Sequence, residues 1–255
     1  MIHPTALIDK KAELDSEVEV GPYSIIGGHV RIARGCKIGA HVVVEGWTDI
    51  GEGCTLLHSS SIGTPPQDLK FKGEETRLLI GRRNIFREFV TLNCGTRNGR
   101  GETLIGDDNF FMAYVHVAHD CIVGNRVIMA NAATLAGHIT IGDHAIIGGL
   151  SGIHQFVRIG SYAIIGGCSA VAQDVPPFVS VAGNRARLYG LNLVGLKRHG
   201  FSPERIGLLK EAYRLLFRSN LTQKAAISKI AERLDSPDVA ELVKFVESSK
   251  RGTCH

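Results

Sequence analysis

A six-residue beat runs through the chain from Ile2 to about Pro176. Large aliphatic residues fall at Ile2, Ile8, Leu14, Val20, Ile26, Ile32, Ile38, Val44, Ile50, Leu56 and Ile62. The beat resumes at Ile80, Phe86 and Leu92 and is unbroken from Ile105 to Val171. Four places after each aliphatic comes a small or β-branched residue, as at Ala6, Ala12, Val18, Ser24, Val30 and Cys36. Helical spacing of three and four does not fit, and neither does simple alternation over long runs. Self-similarity at a fixed short period is the signature of a solenoid. Each hexad reads as one short strand and one corner, with two side chains turned inward to a column shared by the whole stack. The expectation is a parallel β-helix with three hexads, about eighteen residues, per coil.

Composition agrees with a long, thin core. The 255 residues are 44% hydrophobic but only 6% aromatic, and thirty glycines suit a fold with a corner in every hexad. A net charge of +4 admits anionic small molecules or an acidic partner. Nucleic-acid binding would call for a dense basic stripe with stacking aromatics, which is not present. No apolar run approaches the length of a membrane span. Met1-Ile2-His3-Pro4 enters the first hexad directly, so no signal peptide is expected and the cytosol is the expected compartment. Cys36, Cys54 and Cys121 occupy small inward places, and no C-x-x-C spacing occurs; a disulfide framework or a cysteine-based zinc site is not expected.

Two interruptions break the beat. Thr64-Pro65-Pro66 opens a polar stretch that reads as an extruded loop near residues 64–78. Leu92 and Ile105 stand thirteen residues apart, which no whole number of hexads fits, so residues 93–104 must bulge outward. Insertions in solenoids map to surface loops that often build the binding face. The expected organisation is therefore a β-helix over 1–177, a connecting segment over 178–190 and a small α-helical domain over 191–255. Ser202-Pro203-Glu204 is a good helix start, and Thr222 and Pro237-Asp238 open two more.

Stacking converts sequence distance into spatial distance. Residues eighteen apart lie on one edge of successive coils, ~4.8 Å apart. His119, Gly137 and Gln155 form such a column, with His138 and His154 beside it and His116 just upstream. Two chemistries suit this patch. A neutral imidazole can act as general base on an alcohol, with the Gly137 backbone N–H holding an oxyanion. No Ser-His-Asp arrangement is visible, so direct transfer to a substrate hydroxyl is more natural than a covalent intermediate. Asp120 adjoins His119, but neighbours on a strand face opposite ways, which argues against its assistance. Alternatively, the imidazoles hold zinc with an open fourth position, giving a hydratase of the β-helical carbonic anhydrase type.

Five segments carry a resemblance to a known family: Gln67-Asp68-Leu69-Lys70, Ala118-His119-Asp120-Cys121, Ala136-Gly137-His138, Val171 to Pro177, and Gly195-Leu196-Lys197-Arg198. In order and spacing the chain resembles the UDP-N-acetylglucosamine 3-O-acyltransferases, which begin lipid A synthesis. The resemblance implies a homotrimer of left-handed parallel β-helices, each with a helical C-terminal part and no cofactor; the handedness comes from it alone. It implies transfer of a (R)-3-hydroxyacyl chain from acyl carrier protein to a UDP-sugar, with the base at His119 and the oxyanion donor at the Gly137 amide. Substrate contacts then fall to Gln67, Asp68, Lys70, His116, His138, His154 and Gln155, and nucleotide contacts to Asn192 and Arg198. The active site is expected between subunits, with His119 facing Asp68, Lys70, His138 or His154 of the next chain. Gly167 matches a position near the far end of the acyl groove, where glycine leaves room for a long, myristoyl-class donor. Asn93, Val194 and His199 depart from the enterobacterial pattern of His, Glu and Arg, which leaves open a 3-amino analogue of the sugar as acceptor. A related N-acyltransferase carries an extra N-terminal domain, and acetyl-CoA-dependent hexapeptide transferases and a non-catalytic solenoid are the remaining alternatives.

Overall fold

The computed structural model describes all residues, 1–255. Very short strands alternate with corners, and each strand pairs with those one coil below and one coil above it. Three sheets of nine, eight and ten strands result, parallel throughout except for the last pair of the ten-stranded sheet, and through the coils successive strands of the chain pass to successive sheets. The register steps through the first sheet as Thr91↔His116, His116↔Thr134, Thr134↔Gly152 and Gly152↔Ala170. These residues face outward, while the next residue of each strand (Leu92, Val117, Leu135, Ile153, Val171) is buried. The beat is thus the inward column of a prism, and each fully buried Leu or Ile contributes ~1.5–3 kcal/mol. Ile2 is 51% exposed because no coil lies beneath it.

Corners rather than strands set the positions of the polar side chains. Non-glycine residues take positive φ at one corner of nearly every coil edge, including Asp120 (60°), His138 (63°) and Phe156 (65°), which stack eighteen residues apart. Asp and His accept the left-handed region more readily than branched residues do.

Both interruptions leave from that same corner. Strand Ser61–Thr64 is followed by residues 65–76 and then strand Arg77–Ile80; strand Thr91–Asn93 is followed by 94–101 and then Glu102–Ile105. Asn93 anchors the first loop, its buried amide donating to Thr64 Oγ1 at 2.9 Å and Pro65 O at 3.2 Å.

The last coil is closed differently from the expectation. Residues 178–190, expected as a plain connection, contain strand Val179–Ala182 and most of the antiparallel strand Arg187–Leu191, which end the ten-stranded sheet. The antiparallel return has no hexad beat, so its strand character was not legible. Helices α1 (Leu193–Arg198), α2 (Pro203–Phe217), α3 (Gln223–Arg233) and α4 (Pro237–Glu247) follow. Ser202 and Thr222 cap α2 and α3 by accepting from the N–H three residues on. The helices bury Leu209, Ala226, Ile230 and Leu242 in a second core, onto which Phe178 and Leu196 also pack.

Candidate active site

The corner below the two loops gathers the polar residues. His119 follows strand His116–Val117 and occupies the turn, not the strand, together with Asp120. Left-handed backbone at Asp120 brings its carboxylate back beside His119, so the strand rule that argued against the pair does not apply. His119 Nδ1 lies 2.8 Å from Asp120 Oδ2. The carboxylate is 1% exposed and also accepts from the Thr96 N–H at 3.1 Å, Thr96 Oγ1 at 2.6 Å and the Arg100 N–H at 2.7 Å. Burial pushes this acid up, but the hydrogen bonds from His119, Thr96 and Arg100 outweigh it and hold it at about 2. A permanently ionised Asp120 makes Nδ1 of His119 the donor and leaves Nε2 as a base.

The coil above places Gly137 against that ring. A Cβ on Gly137 would sit 2.5 Å from His119 Cε1 and 2.7 Å from Nε2, so only glycine admits the imidazole in this place. The Gly137 N–H donates to no protein acceptor. At a neighbouring corner the equivalent amides are capped by side chains of the next coil, as Asp107 N–H is by Asn125 and Asn125 N–H by Asp143. The column through His119, Gly137 and Gln155 has no such cap, and it leaves a donor open beside the base.

His138 completes the corner. Its ring stacks on Phe156 at 4.5 Å and meets His119 edge-on at 5.0 Å. His119 and His138 therefore meet within one chain, one coil apart. His116 Nδ1 bonds Thr91 Oγ1 at 2.7 Å. Burial, first, and the nearby His119 push His116 below the ordinary histidine range; burial does the same to His138.

An open groove of about 900 Å³ runs from this corner across the outward face of the nine-stranded sheet. Gln67, His116, His119, Gly137 and His154 line its polar end, and Gly152, Ala170 and Val171 lie farther along. Asp68 is half-buried in the first loop, accepts from the Lys70 N–H at 3.0 Å and is close enough to act on the charge of His138. Lys70 and Gln155 are exposed, and neither lines the groove. Gly167 is at the opposite corner of the same face, three residues before Ala170. Asn192 lies apart from the groove: it caps α1, with its amide spent on Tyr162 O and the Gly195 N–H. Arg198, at the exposed end of α1, is not brought to the groove either.

The zinc reading fits this corner poorly. His119, Asp120 and His138 have ligand atoms within 4.8 Å of one another, but the Asp120 oxygens and His119 Nδ1 are already engaged. His116 is turned to Thr91, so three imidazoles do not converge.

Residues 174–254 match the second domain of UDP N-acetylglucosamine O-acyltransferase, and residues 102–137 match the bacterial transferase hexapeptide repeat. An acyl-[acyl-carrier-protein]--UDP-N-acetylglucosamine O-acyltransferase from Thermodesulfovibrio yellowstonii is 56% identical over 99% of this chain and 98% of its own length. The chain belongs to the UDP-N-acetylglucosamine O-acyltransferase family. Two solved structures agree with that membership. The enzyme from Acinetobacter baumannii superposes with a TM-score of 0.96 at 46% identity, covering 100% of this chain and 99% of the other. The acyltransferase from Bacteroides fragilis does so with a TM-score of 0.97 at 39% identity, with both chains fully covered. As in this family, the three sheets wind as a left-handed parallel β-helix.

Of the three departures from the enterobacterial pattern, Asn93 is a loop anchor, as its bonds to Thr64 and Pro65 show. Val194 is 62% exposed, and His199 packs edge-on against His144 and Tyr162. Sequence reasoning did not find Thr96 or Arg100: Arg100 acts through a backbone amide that any residue type carries, and Thr96 through its amide and its hydroxyl, in a loop outside the hexad beat. The irregular spacing between Leu92 and Ile105 was the one available signal.

Proposed function

We propose that this chain transfers a (R)-3-hydroxyacyl group from acyl carrier protein to the 3-hydroxyl of UDP-N-acetylglucosamine, the first step of lipid A synthesis. The observation that carries the reading is the Asp120–His119 pair packed against Gly137 at the mouth of the groove. His119 Nε2 takes the proton of the sugar hydroxyl as its oxygen attacks the thioester carbon. The tetrahedral oxyanion is held by the Gly137 N–H, and its collapse breaks the C–S bond and passes the proton from His119 to the leaving thiolate. Thr134 is the only hydroxyl or thiol among the groove-lining residues, and it is spent on Ala132 O at 3.3 Å, which favours direct transfer. Gln67, Asp68, Lys70, His116, His138, His154 and Gln155 are assigned to the sugar and acyl chain, and Asn192 and Arg198 to the nucleotide. For Asn192 that role needs a rearranged cap or contacts in an assembly.

The assembly we propose is a homotrimer. In the later coils the outward column of the ten-stranded sheet is apolar throughout, over Ile85, Phe110, Ile128, Ile146 and Ile164, whereas that of the eight-stranded sheet, apolar at Leu79, Leu104 and Ile122, ends in Thr140 and Arg158. A long apolar outward face is what a closed ring of subunits covers. Sedimentation as a single 27.5 kDa chain at working concentration would exclude it. We place the reaction in the cytoplasm: no helix is long and apolar enough to cross a membrane, and all six cysteines are free.

His119→Ala tests the chemistry. General-base assistance is worth 10²–10⁴-fold, and turnover should fall by about that range or more with the fold retained. Near-normal transfer would remove His119 from the role. Activity lost on chelation and restored by zinc would favour the hydratase instead.

A further inference from the structure

The C-terminal tail returns from α4 to the last coil and ends beside the groove. Its fixed point is Asp174, buried to 2% exposure, whose carboxylate accepts from the Arg158 N–H at 2.9 Å, Arg158 Nε at 3.1 Å and Ser249 Oγ at 2.9 Å. The backbones are tied as well: Asp174 N–H donates to Gly252 O at 3.1 Å and Cys254 N–H to Asp174 O at 2.9 Å. These contacts hold Arg251 against the groove wall. Its Nη1 donates to Ala172 O at 3.0 Å and lies 3.3 Å from Nδ1 of His154, which lines the groove. No carboxylate pairs with this guanidinium.

Two groups compete for His154 Nδ1. Gln155 O, at 3.1 Å, can only accept; Arg251 can only donate. Both contacts are exposed, so the Gln155 carbonyl can take water, but a proton on Nδ1 would point at N–H bonds of a cation that Ala172 O prevents from moving away. We infer that Arg251 is a positioning residue that keeps the Nδ1 lone pair of His154 facing the tail and the ring proton on Nε2, making His154 a fixed hydrogen-bond donor to a substrate oxygen in the groove. This role rests on the acyl-transfer reading of the groove, but the tautomer does not. Through it the last residues of the chain take part in the site, although they lie beyond every hexad and every helix.

The test is a long-range proton–nitrogen correlation spectrum of histidine-labelled full-length protein, with His154 assigned from His154→Gln. The native protein should show the Nε2–H tautomer, and Arg251→Met should move His154 to Nδ1–H, bonded to Gln155 O. In a transfer assay Arg251→Met should lose roughly tenfold in kcat/KM, the equivalent of one hydrogen bond, with Arg251→Lys restoring part of it. A native Nδ1–H tautomer, or no change of tautomer in a methionine variant whose melting temperature is native, overturns the inference. A methionine variant that melts early is replaced by Arg251→Lys, where the Nε2–H form must persist. Absence of transfer by the native enzyme would refute the acyl-transfer reading and leave the tautomer result standing.

Discussion

Asp120 and Gly137 do opposite things to the same imidazole, one holding Nδ1 and the other clearing space beside Nε2. Gly137→Ala should therefore keep the β-helix but displace the His119 ring. A misplacement of about 1 Å costs on the order of 10²-fold in rate, which a turnover assay on the folded variant would detect; native turnover would separate the ring from the chemistry. A second expectation concerns acid. Asp120 is depressed from 3.8 to about 2 in the fold, so it contributes stability above pH ~4 that is lost as pH falls toward about 2. That contribution is roughly 2 kcal/mol. His116 and His138 are held neutral by burial; their stabilisation is complete above the ordinary histidine value of about 6.5 and declines as pH drops below it. Native melting temperatures should fall in two stages on acidification, and Asp120→Asn should reduce the lower stage, to which the ion-paired or hydrogen-bonded Glu74, Glu88 and Asp108 also contribute. The His119–Gly137 column was legible in the sequence because eighteen-residue stacking is a distance rule. The Asp120 contact was not, because the alternation that governs strands fails at a corner with φ of 60°.

At the level of elements, the site is one face of a prism roofed by two extruded loops. The outward column His116, Thr134, Gly152, Ala170 loses bulk away from the histidine corner, and a Cβ at Gly152 would meet nothing within 4 Å. Three coil steps, roughly 14 Å, separate the His116 coil from that of Ala170. On the proposed function this face receives the acyl chain, and Gly167, which does not itself line the groove, stands at the far corner of the same face. A Cβ there would approach Gly149 O to 3.3 Å, a contact the corner can relieve by a few tenths of an ångström, so Gly167→Met should fold. With a donor series of increasing length, the native enzyme should prefer long, myristoyl-class chains and the methionine variant shorter ones, by ~0.8 kcal/mol for each excluded methylene. An unchanged preference would take Gly167 out of that role. The helical starts were legible because caps are local chemistry, as Ser202 and Thr222 show. The return strand Arg187–Leu191 and the docking of the tail on Asp174 rest on long-range pairing that no local pattern announces.

For the molecule as a whole, a solenoid supplies rigid, repeated edges, and the irregularities of the sequence cluster beside the candidate site. Both loops, the histidine corner and the tail converge on one end of one face, while the remaining coils keep the beat. Sequence periodicity was sufficient for this architecture because each hexad needs only its neighbours. The most direct measurement supplies purified protein with UDP-N-acetylglucosamine and (R)-3-hydroxyacyl-acyl carrier protein and follows both products. One free carrier thiol should appear for each acylated sugar nucleotide, the new linkage should be an ester cleaved by mild alkali, and added chelator should change nothing. An alkali-stable amide formed only with the 3-amino sugar, or no acyl transfer by a folded, assembled protein, would contradict the account.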